Sequence, residues 1–355
     1  MALNVLTTMV GAQTSPGIIR AIKENGEREI HLVGVDPVRL IPGAHFVDNF
    51  YQITPSFYNE EQYVDELINI AKKEDIDVIL PCGNEDCLAI SKNLKIFNEE
   101  GIKVITSPYE ILLNAFDKYH AYDQVSRCSP ANCPESYLIS NIDQFYKYSD
   151  ILGYPEKKLV VKPRHGRGGR GVYILDPDVN LVSLLSEKPS GTLPYDVFSM
   201  QLERALNVPE FLLMEYLPGD IVSVYSLCDD GKSLVTIPNK RIWGTASNTL
   251  IGEVVMDDSY IKPAMNICQQ FSFMYNINME MKISDEGIPK VFDINPRIAA
   301  STAIFRSFGY NLPYFSIKMA LGESLELPPI HDNMVMMRYL HEIFYKKKGK
   351  QFFEV

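Results

Sequence analysis

Two short segments of the chain carry side chains that could bind a metal ion and phosphate. The first is the strand-like run 291–297 (VFDINPR), in which Asp293, Asn295 and Arg297 are alternate residues. Because alternate residues of a strand share a face, we expect these three side chains on one side. A carboxylate, an amide oxygen and a guanidinium close together suit a divalent cation and phosphate oxygens.

The second segment is the glycine-rich run 162–171. It contains four glycines within six positions, namely Gly166, Gly168, Gly169 and Gly171. It also contains four basic residues, Lys162, Arg164, Arg167 and Arg170. Glycine lets the backbone come close to a ligand, so the N–H groups of such a loop can contact an anion. The two segments together predict a site for a nucleoside triphosphate and magnesium.

The composition is that of a folded protein. The chain has 355 residues, of which 46% are hydrophobic and 22% are charged, and this length predicts two or three domains. The net charge of −11 disfavours nucleic-acid binding. No apolar run is long enough to predict a membrane-spanning helix, and the first residues do not resemble a signal peptide. We therefore expect a cytoplasmic protein that binds no membrane and whose six cysteines are reduced thiols.

The first 110 residues alternate between strand and helix patterns. This alternation predicts a parallel, Rossmann-like sheet with helices on its faces. Ligands of such sheets bind at the carboxyl ends of the strands. We therefore expect Gly11–Ser15, Asp36 and Asn84–Glu85 to line one crevice.

A different pattern begins near residue 111. A helix is predicted over Ile111–Asp123, and a strand over Leu159–Lys162 leads into the glycine-rich run. Two further strands, Ile277–Ile283 and Pro289–Ile294, are joined by a hairpin turn sequence. We expect an α+β domain over residues 111–325 and a C-terminal tail (326–355) that packs on the core.

Five segments name a family through their order and spacing. They are Asp117-Lys118, the strand 160–163 with its glycine loop, 214–219 (MEYLPG), 278–280 (NME) and 292–297 (FDINPR). In this order they resemble the ATP-grasp superfamily, and Asn295–Gly322 is similar to the synthetase domains of the carbamoyl phosphate synthetase large subunit. The resemblance covers about residues 3–325. The chain also resembles the single-unit carboxylate–amine ligases of this superfamily. The resemblance implies a Rossmann-like pre-domain (1–110) followed by a two-lobed ATP-grasp domain (111–325), in which a lid lobe spans about residues 130–212.

The resemblance implies how the nucleotide would bind. Lys118 and Lys162 would contact the phosphates of ATP, under a mobile lid formed by the glycine loop 166–171. Glu215 and Leu217 would contact the adenine through backbone groups. Members of the family often carry an acidic residue for the ribose two positions after the hinge glycine, but Ile221 occupies that position here. The nearest acid is Asp220.

The resemblance also assigns the metal site. Glu280, Asp293 and Asn295 would ligate Mg²⁺, with Mn²⁺ as an alternative. Their oxygen atoms are the hard ligands that Mg²⁺ prefers.

One catalytic residue follows from the same resemblance, and three further residues are candidates for catalysis or substrate contacts. Arg297 would hold the transferred phosphate or an acyl phosphate, and Arg241 is a second candidate catalytic residue. Glu85 and Ser301 are candidates for substrate contacts. Carbamoyl phosphate synthetases carry a second arginine where this chain has Ala300, which weighs against bicarbonate chemistry.

The implied function is that of an ADP-forming ligase. ATP and Mg²⁺ would convert a small, amino-acid-like carboxylate into an acyl phosphate, which an amine then attacks. Two alternatives stay open: a small-molecule kinase or a carbamoyl-phosphate-synthetase-like activity on the same fold, and a nucleotide-binding regulator without turnover. The expected partners are therefore a small carboxylate and an amine rather than nucleic acid or membrane, and a homodimer is compatible with the sequence.

Overall fold

The computed structural model describes residues 2–166, 168–186, 190–245, 248–299, 301–332, 334–348 and 351–354. Arg167 of the glycine loop and Ala300 lie outside the described residues. The chain forms two compact units. Unit 1 consists of Met1–Thr106, Arg241–Val254 and Arg297–Val355, and unit 2 consists of Ser107–Lys240 and Val255–Pro296.

Helices and strands alternate through most of the chain. The strands are β1 (Leu3–Thr8), β2 (Ile30–Asp36), β3 (Asn49–Gln52), β4 (Val78–Leu80), β5 (Lys103–Val104), β6 (Ser136–Ile139), β7 (Leu159–Pro163), β8 (Tyr173–Asp176), β9 (Thr192–Pro194), β10 (Phe211–Glu215), β11 (Ile221–Asp229), β12 (Lys232–Gly244), β13 (Thr249–Val254), β14 (Tyr275–Ile283), β15 (Pro289–Asn295), β16 (Val335–Met337), β17 (Tyr345–Lys348) and β18 (Gln351–Glu354). The α-helices are α1 (Ser15–Lys23), α2 (Glu60–Lys73), α3 (Asn84–Lys92), α4 (Leu94–Glu99), α5 (Tyr109–Phe116), α6 (Lys118–Cys128), α7 (Ile142–Ile151), α8 (Tyr195–Arg204), α9 (Asp258–Phe271) and α10 (Leu312–Ala320). Short 3-10 segments span Pro42–His45, Pro130–Asn132, Ser183–Ser186 and Thr302–Phe308.

Unit 1 contains the predicted parallel sheet. Its strand order is β3-β2-β1-β4-β5, and all four pairings are parallel. The chain adds β2 and β3 on one side of β1 and then β4 and β5 on the other. The carboxyl ends of β1 and β4 therefore flank the point where the strand order reverses, which is where such sheets bind ligands. The predicted Rossmann-like architecture is confirmed.

Helix α2 shows how local sequence determines an element of this unit. Asn59 caps the helix by accepting from the backbone N–H of Gln62, acidic residues occupy the first turn and lysines the last. Tyr63 and Leu67 point into a core that also contains Leu6 and Ile79 of the sheet. These two residues are four positions apart, so they lie on the same face of the helix.

The C-terminal part of the chain packs in unit 1 rather than with the residues that precede it. Asn311 donates to the carbonyl of Ala21 at 2.6 Å, and Lys318 pairs with Glu27 at 2.8 Å. These contacts fix α10 against α1. The compact units therefore differ from the predicted division into residues 1–110, 111–325 and 326–355, which stays a prediction.

Unit 2 contains two sheets. The first has the strand order β6-β10-β7-β8-β9, antiparallel except for the pair β8–β9. Helices α7 and α8 cover it, and their core includes Phe145 and Leu213. In the second sheet β15, β14, β11 and β12 pair antiparallel in that order. Helices α6 and α9 pack on one face of this sheet, where Ile267, Met279 and Val291 are buried.

The predicted helix over Ile111–Asp123 is wrong in one respect, because the structure has two helices there. Asp117 separates α5 from α6 with an extended backbone (φ −83°, ψ 105°). Its carboxylate accepts from the backbone N–H groups of Tyr119 and His120 and so caps α6. The break makes Lys118 the first residue of a helix.

Two further predictions from the sequence concern membrane-spanning helices and the cysteines. Among the described residues, no helix is both long and apolar enough to cross a membrane. All six cysteines are unpaired thiols. Burial raises the pKa of the Cys82 thiol to about 11.

Candidate active site

A β-bulge places the acidic side chains of unit 2 on the face of the second sheet opposite its helices. Asp293 pairs with Glu280, but Val291 pairs with Met281, so Phe292 is an extra residue in β15. In an unbroken strand Val291 and Asp293 would share a face. The bulge instead leaves Val291 and Ile294 in the core and puts Asp293 on the opposite face.

Two lysines reach the carboxylate of Asp293. Lys118 Nζ lies 2.7 Å from Asp293 Oδ1, and Lys162 Nζ lies 3.6 Å from the same oxygen. Lys162 also donates to the carbonyl of Phe292, which accepts a second hydrogen bond from the Tyr122 hydroxyl at 2.7 Å. The side chains of Lys118, Lys162 and Asp293 are 12%, 8% and 21% exposed. The start of α6, the end of β7 and the bulge of β15 thus bring two ammonium groups to one carboxylate.

Burial and charge shift the pKa values of this cluster in a way that follows from its geometry. Burial lowers the pKa of Lys162 to about 8, although the neighbouring Asp293 opposes that change. Burial alone would raise the pKa of Asp293, but the charges of Lys162 and Lys118 prevail and lower it to about 2. Asp293 is therefore ionised at neutral pH and available to bind a cation.

Two more oxygen-bearing side chains lie beside Asp293. Asn295 donates from Nδ2 to Asp293 Oδ2 at 3.0 Å, which fixes the orientation of both side chains. Glu280, directly across from Asp293, accepts from the Ser223 hydroxyl at 2.9 Å. Sequence reasoning missed Ser223, because a serine in the middle of a strand gives no signal of its own.

This set of side chains fits a magnesium ion that is shared with phosphates. Among the described residues, no group of three or more His, Cys, Asp or Glu side chains could enclose a metal ion. Mg²⁺ usually takes only one or two carboxylates from the protein and completes its shell with water and substrate phosphates. Glu280 and Asp293, with the amide oxygen of Asn295, match that requirement.

The residues predicted to contact adenine and ribose already have partners. The backbone N–H of Glu215 donates to the carbonyl of Glu135, and its carboxylate lies 3.3 Å from Lys290. The carbonyl of Leu217 accepts from Lys282 Nζ at 2.8 Å. Asp220 forms an ion pair with Lys240 at 2.7 Å. Their roles in nucleotide binding stay predictions.

The glycine loop joins β7 to β8 and is exposed. Gly168, Gly169 and Gly171 have positive φ values of 61°, 72° and 72°, which other residues rarely adopt. A Cβ atom on Gly171 would lie only 2.8 Å from the side chain of Pro163. These two constraints explain the glycines at positions 168, 169 and 171.

Arg297 does not belong to the strand face that carries Asp293 and Asn295, so that expectation was wrong. Strand β15 ends at Asn295, and the alternation of faces ends with it. Arg297 lies in unit 1, where its Nε donates to Asn84 Oδ1 at 2.6 Å and its Nη1 to the carbonyl of Ile298 at 2.7 Å. Asn84 is the first residue of α3, just after β4, and Glu85 follows it.

The expected crevice residues of unit 1 lie at the carboxyl ends of the parallel strands. The backbone N–H of Gly11, after β1, donates to Asp36 Oδ2 at 2.8 Å. Asp36 is the last residue of β2. Asn84 follows β4, and its side chain accepts a hydrogen bond from Arg297. These residues therefore lie at the carboxyl ends of the strands, as the sequence predicts, and their role in binding a ligand stays a prediction.

Arg241 and Ser301 are connected through residues that the sequence did not indicate. Arg241 Nε donates to the Thr249 hydroxyl at 3.1 Å, while Arg338 Nη1 donates to the Thr249 carbonyl at 3.3 Å. Arg338 also lies 3.4 Å from the hydroxyl of Ser301. An arginine in a short strand-like tail gives no sequence signal, which is why Arg338 was missed.

Two family models match the chain. Residues 207–343 match the model described as ATP-grasp in the biosynthetic pathway with Ter operon. Residues 5–105 match the model of the PylC-like N-terminal domain. Among curated proteins, the pyruvate carboxylase of Pichia angusta is 22% identical over 266 residues, which is 74% of this chain. The chain spans only 22% of the length of that protein.

Solved structures show the same fold at low identity. The biotin carboxylase domain of Hydrogenobacter thermophilus 2-oxoglutarate carboxylase is 18% identical, with a TM-score of 0.66 over 94% of this chain and 73% of that one. N5-carboxyaminoimidazole synthetase from Staphylococcus aureus, in complex with ADP, is 16% identical, with a TM-score of 0.63 over 95% of this chain and 81% of that one.

These similarities agree with the parallel sheet of unit 1 and the two sheets of unit 2. The chain therefore matches an ATP-grasp family over residues 207–343 and a PylC-like N-terminal domain over residues 5–105.

Proposed function

We propose that the protein is an ATP- and magnesium-dependent, ADP-forming ligase that joins a small carboxylate to an amine. The observation that carries this proposal is the cluster of Lys118, Lys162, Asp293, Asn295 and Glu280. It combines two cations for phosphate oxygens with the oxygen ligands of a magnesium ion. Phosphoryl transfer requires mainly positioning and neutralisation of charge, and these side chains supply both.

The reaction has two steps. A carboxylate oxygen attacks the γ-phosphorus of ATP, the bond to the β,γ-bridging oxygen breaks, and ADP and an acyl phosphate result. The amine then attacks the acyl carbon, phosphate leaves with the bonding electrons, and the amine loses a proton to give the amide. Magnesium, when bound, neutralises the phosphate oxygens.

The side chains of the cluster have separate tasks in this proposal. Lys118 and Lys162 hold phosphate oxygens. When the nucleotide binds, the two ammonium groups give up their contacts with the Asp293 carboxylate and contact the phosphates instead. Glu280, Asp293 and Asn295 hold the metal. The glycine loop covers the phosphates and excludes water, which would hydrolyse the acyl phosphate.

The arginines of unit 1 suit the anionic groups of the second ligand. Guanidinium groups bind carboxylates and phosphates through paired hydrogen bonds. We assign Arg297 and Arg241 to the transferred phosphate and the carboxylate, and Glu85 and Ser301 to the rest of the substrate. Arg338 joins this group because it shares Thr249 with Arg241.

The carboxylate substrate has two candidate classes. An amino-acid-like carboxylate agrees with a carboxylate–amine ligase. Bicarbonate is the second candidate, because the similar 2-oxoglutarate carboxylase domain has been crystallised with MgADP and bicarbonate.

The remaining features concern the setting of the reaction. We assign the enzyme to the cytoplasm and to small-molecule substrates, in keeping with its net charge of −11 and its unpaired thiols. A homodimer is supported by one similar structure, which is a dimer of biotin carboxylase domains.

Calorimetric titration of the protein with MgADP tests the nucleotide site. We expect binding that requires Mg²⁺ and that is weakened by Asp293→Asn. A screen of bicarbonate and of amino-acid pairs, with phosphate release and mass spectrometry as the readouts, then identifies the substrates. A wild-type protein that binds neither ADP nor ATP would refute the proposal.

A further inference from the structure

One ion pair lies between the two elements that carry the phosphate-binding lysines. Arg164 donates from Nε and Nη2 to Asp117 Oδ2 at 2.9 and 2.6 Å. The side chain of Asp117 is 9% exposed and that of Arg164 is 20% exposed. The second Nη nitrogen of Arg164 pairs with Glu210 at 2.7 Å. This arrangement differs from the exposed pairs on the protein surface, which contribute little.

The positions of the two partners connect this ion pair to the lysines. Asp117 immediately precedes Lys118 and caps α6, while Arg164 stands two residues after Lys162. The backbone reinforces the connection, since the N–H of Lys118 donates to the carbonyl of Arg164 at 3.2 Å. Side-chain and backbone hydrogen bonds therefore join the start of α6 to the end of β7. Lys118 and Lys162 lie in these two segments.

The same ion pair also fixes one end of the glycine loop. The loop begins directly after Arg164, and its residues from Gly168 to Gly171 are exposed. Arg164 is held in place by Asp117 and Glu210, and its guanidinium lies 5.6 Å from the ring centre of Tyr119. These contacts hold in place the residue from which the proposed phosphate lid extends.

Electrostatics agrees with a permanent ion pair. Burial tends to raise the pKa of Asp117, but the hydrogen bonds and charge of Arg164 outweigh this and keep the pKa below its usual range. The carboxylate therefore stays ionised near neutral pH.

We propose that Asp117 and Arg164 are positioning residues for nucleotide binding, which act by holding Lys118 and Lys162 in place for the phosphates of ADP and ATP. This inference rests on the proposed function, since it requires a nucleotide at the lysines.

The variants Asp117→Asn and Arg164→Gln test it, with MgADP as the ligand in calorimetric titrations. Asparagine can still cap α6, so Asp117→Asn removes the charged pair and keeps the cap. Asp123→Asn is the matched control, because it removes an exposed Asp–Arg pair (Asp123 and Arg127, 2.7 Å) from the same helix. We expect both test variants to weaken ADP binding about tenfold, the effect of one well-placed charged contact. The control should change the affinity less than twofold.

A double-mutant cycle separates positioning from general loss of structure. If Asp117 acts through the lysines, Asp117→Asn should weaken ADP binding by about threefold or less in a protein that already carries Lys118→Ala. An equal factor in both backgrounds, or an unchanged affinity in Asp117→Asn and Arg164→Gln, would overturn the inference. Thermal unfolding of every variant identifies any that fails to fold. If a test variant does not fold, Arg164→Lys is titrated with MgADP in its place. A wild-type protein without ADP affinity would instead refute the proposed function together with this inference.

Discussion

The two groups of candidate site residues differ in the hydrogen bonds that their basic side chains donate. In unit 2, Lys118 and Lys162 share the carboxylate of Asp293, so positive and negative groups neutralise one another inside the cluster. In unit 1, Arg297, Arg241 and Arg338 donate to neutral oxygens of amide, carbonyl and hydroxyl groups. The described contacts of unit 2 therefore join two ammonium groups to one carboxylate, whereas those of unit 1 join arginine side chains to amide, carbonyl and hydroxyl oxygens.

This difference separates two kinds of ligand. A mixed site suits a ligand that brings both charges, such as a magnesium ion on phosphates, because each protein group exchanges one partner for another. Guanidinium groups bind the oxygens of carboxylates and phosphates through paired hydrogen bonds, so the arginines of unit 1 suit an anion. We therefore interpret unit 2 as the nucleotide-binding part and unit 1 as the part that binds the carboxylate and the transferred phosphate.

The largest expected effect comes from the carboxylates of unit 2. Asp293→Ala and Glu280→Ala should each lower turnover by about 10²-fold or more, because a lost metal ligand removes charge stabilisation during phosphoryl transfer. Phosphate release at limiting Mg²⁺, with circular dichroism to establish folding, measures this. Activity near the wild-type level in both variants would remove the metal assignment and with it the contrast between the units.

The next effect distinguishes the lysines from the arginines. Lys162→Ala and Lys118→Ala should each weaken nucleotide binding by about 1.5–3 kcal/mol, the value of one hydrogen bond to a charged group. Arg297→Gln should leave the affinity for ADP unchanged, because ADP lacks the phosphate that Arg297 is proposed to hold. Titrations with MgADP measure all three variants. An equal loss in Arg297→Gln would show that the two groups of residues bind the same ligand.

A third test asks whether a low carboxyl pKa by itself marks a functional site. Glu74 of unit 1 has its pKa lowered from 4.5 to about 2, chiefly by hydrogen bonds from Tyr51 and His31. Since the folded pKa lies below the unfolded one, this stabilisation is complete above about pH 4.5 and is lost as the pH falls towards 2. Glu74→Gln should remove an acid-sensitive contribution of about 2–3 kcal/mol to the free energy of unfolding.

Denaturant titrations between pH 2 and pH 7 measure the effect of Glu74→Gln, with the exposed Glu61→Gln as the control. The affinity for ADP should not change in Glu74→Gln, whereas Asp293→Asn should lower it. If Glu74→Gln also weakened ADP binding, the carboxylates of the two units would not differ as described.

The smallest expected effect concerns the glycine loop. The exposed segment around Arg170 should be cleaved by trypsin in the free protein, and magnesium with a non-hydrolysable ATP analogue should slow that cleavage several-fold, because the basic side chains gain phosphate partners. Arg167 is a second predicted cleavage site. Cleavage at Lys95, on exposed helix α4, provides the internal control. Equal rates at Arg170 with and without the analogue would show that the loop is not a phosphate lid.

The sequence by itself determined the fold class and the identity of most charged candidates. The alternation of apolar strands and amphipathic helices requires a parallel sheet in the first 110 residues, because each element must bury one face. Tyr63, Leu67 and Ala71 of α2 recur at the helical period, and all three lie in the core. The spacing of Asp293 and Asn295 likewise placed both on one face of a strand, since local geometry alone sets that relation.

Tertiary structure alone decided which residues meet. Lys118 and Lys162 lie 175 and 131 residues from Asp293 along the chain, and no local pattern predicts that they share one of its oxygens. The extra residue Phe292 reverses the face on which Asp293 lies relative to Val291, and strand pairing with β14 produces that bulge. Arg297 lies only two residues after Asn295, where β15 ends. It packs in unit 1 because its side chain hydrogen-bonds to Asn84 of that unit. Long-range packing, not residue type, fixed these positions.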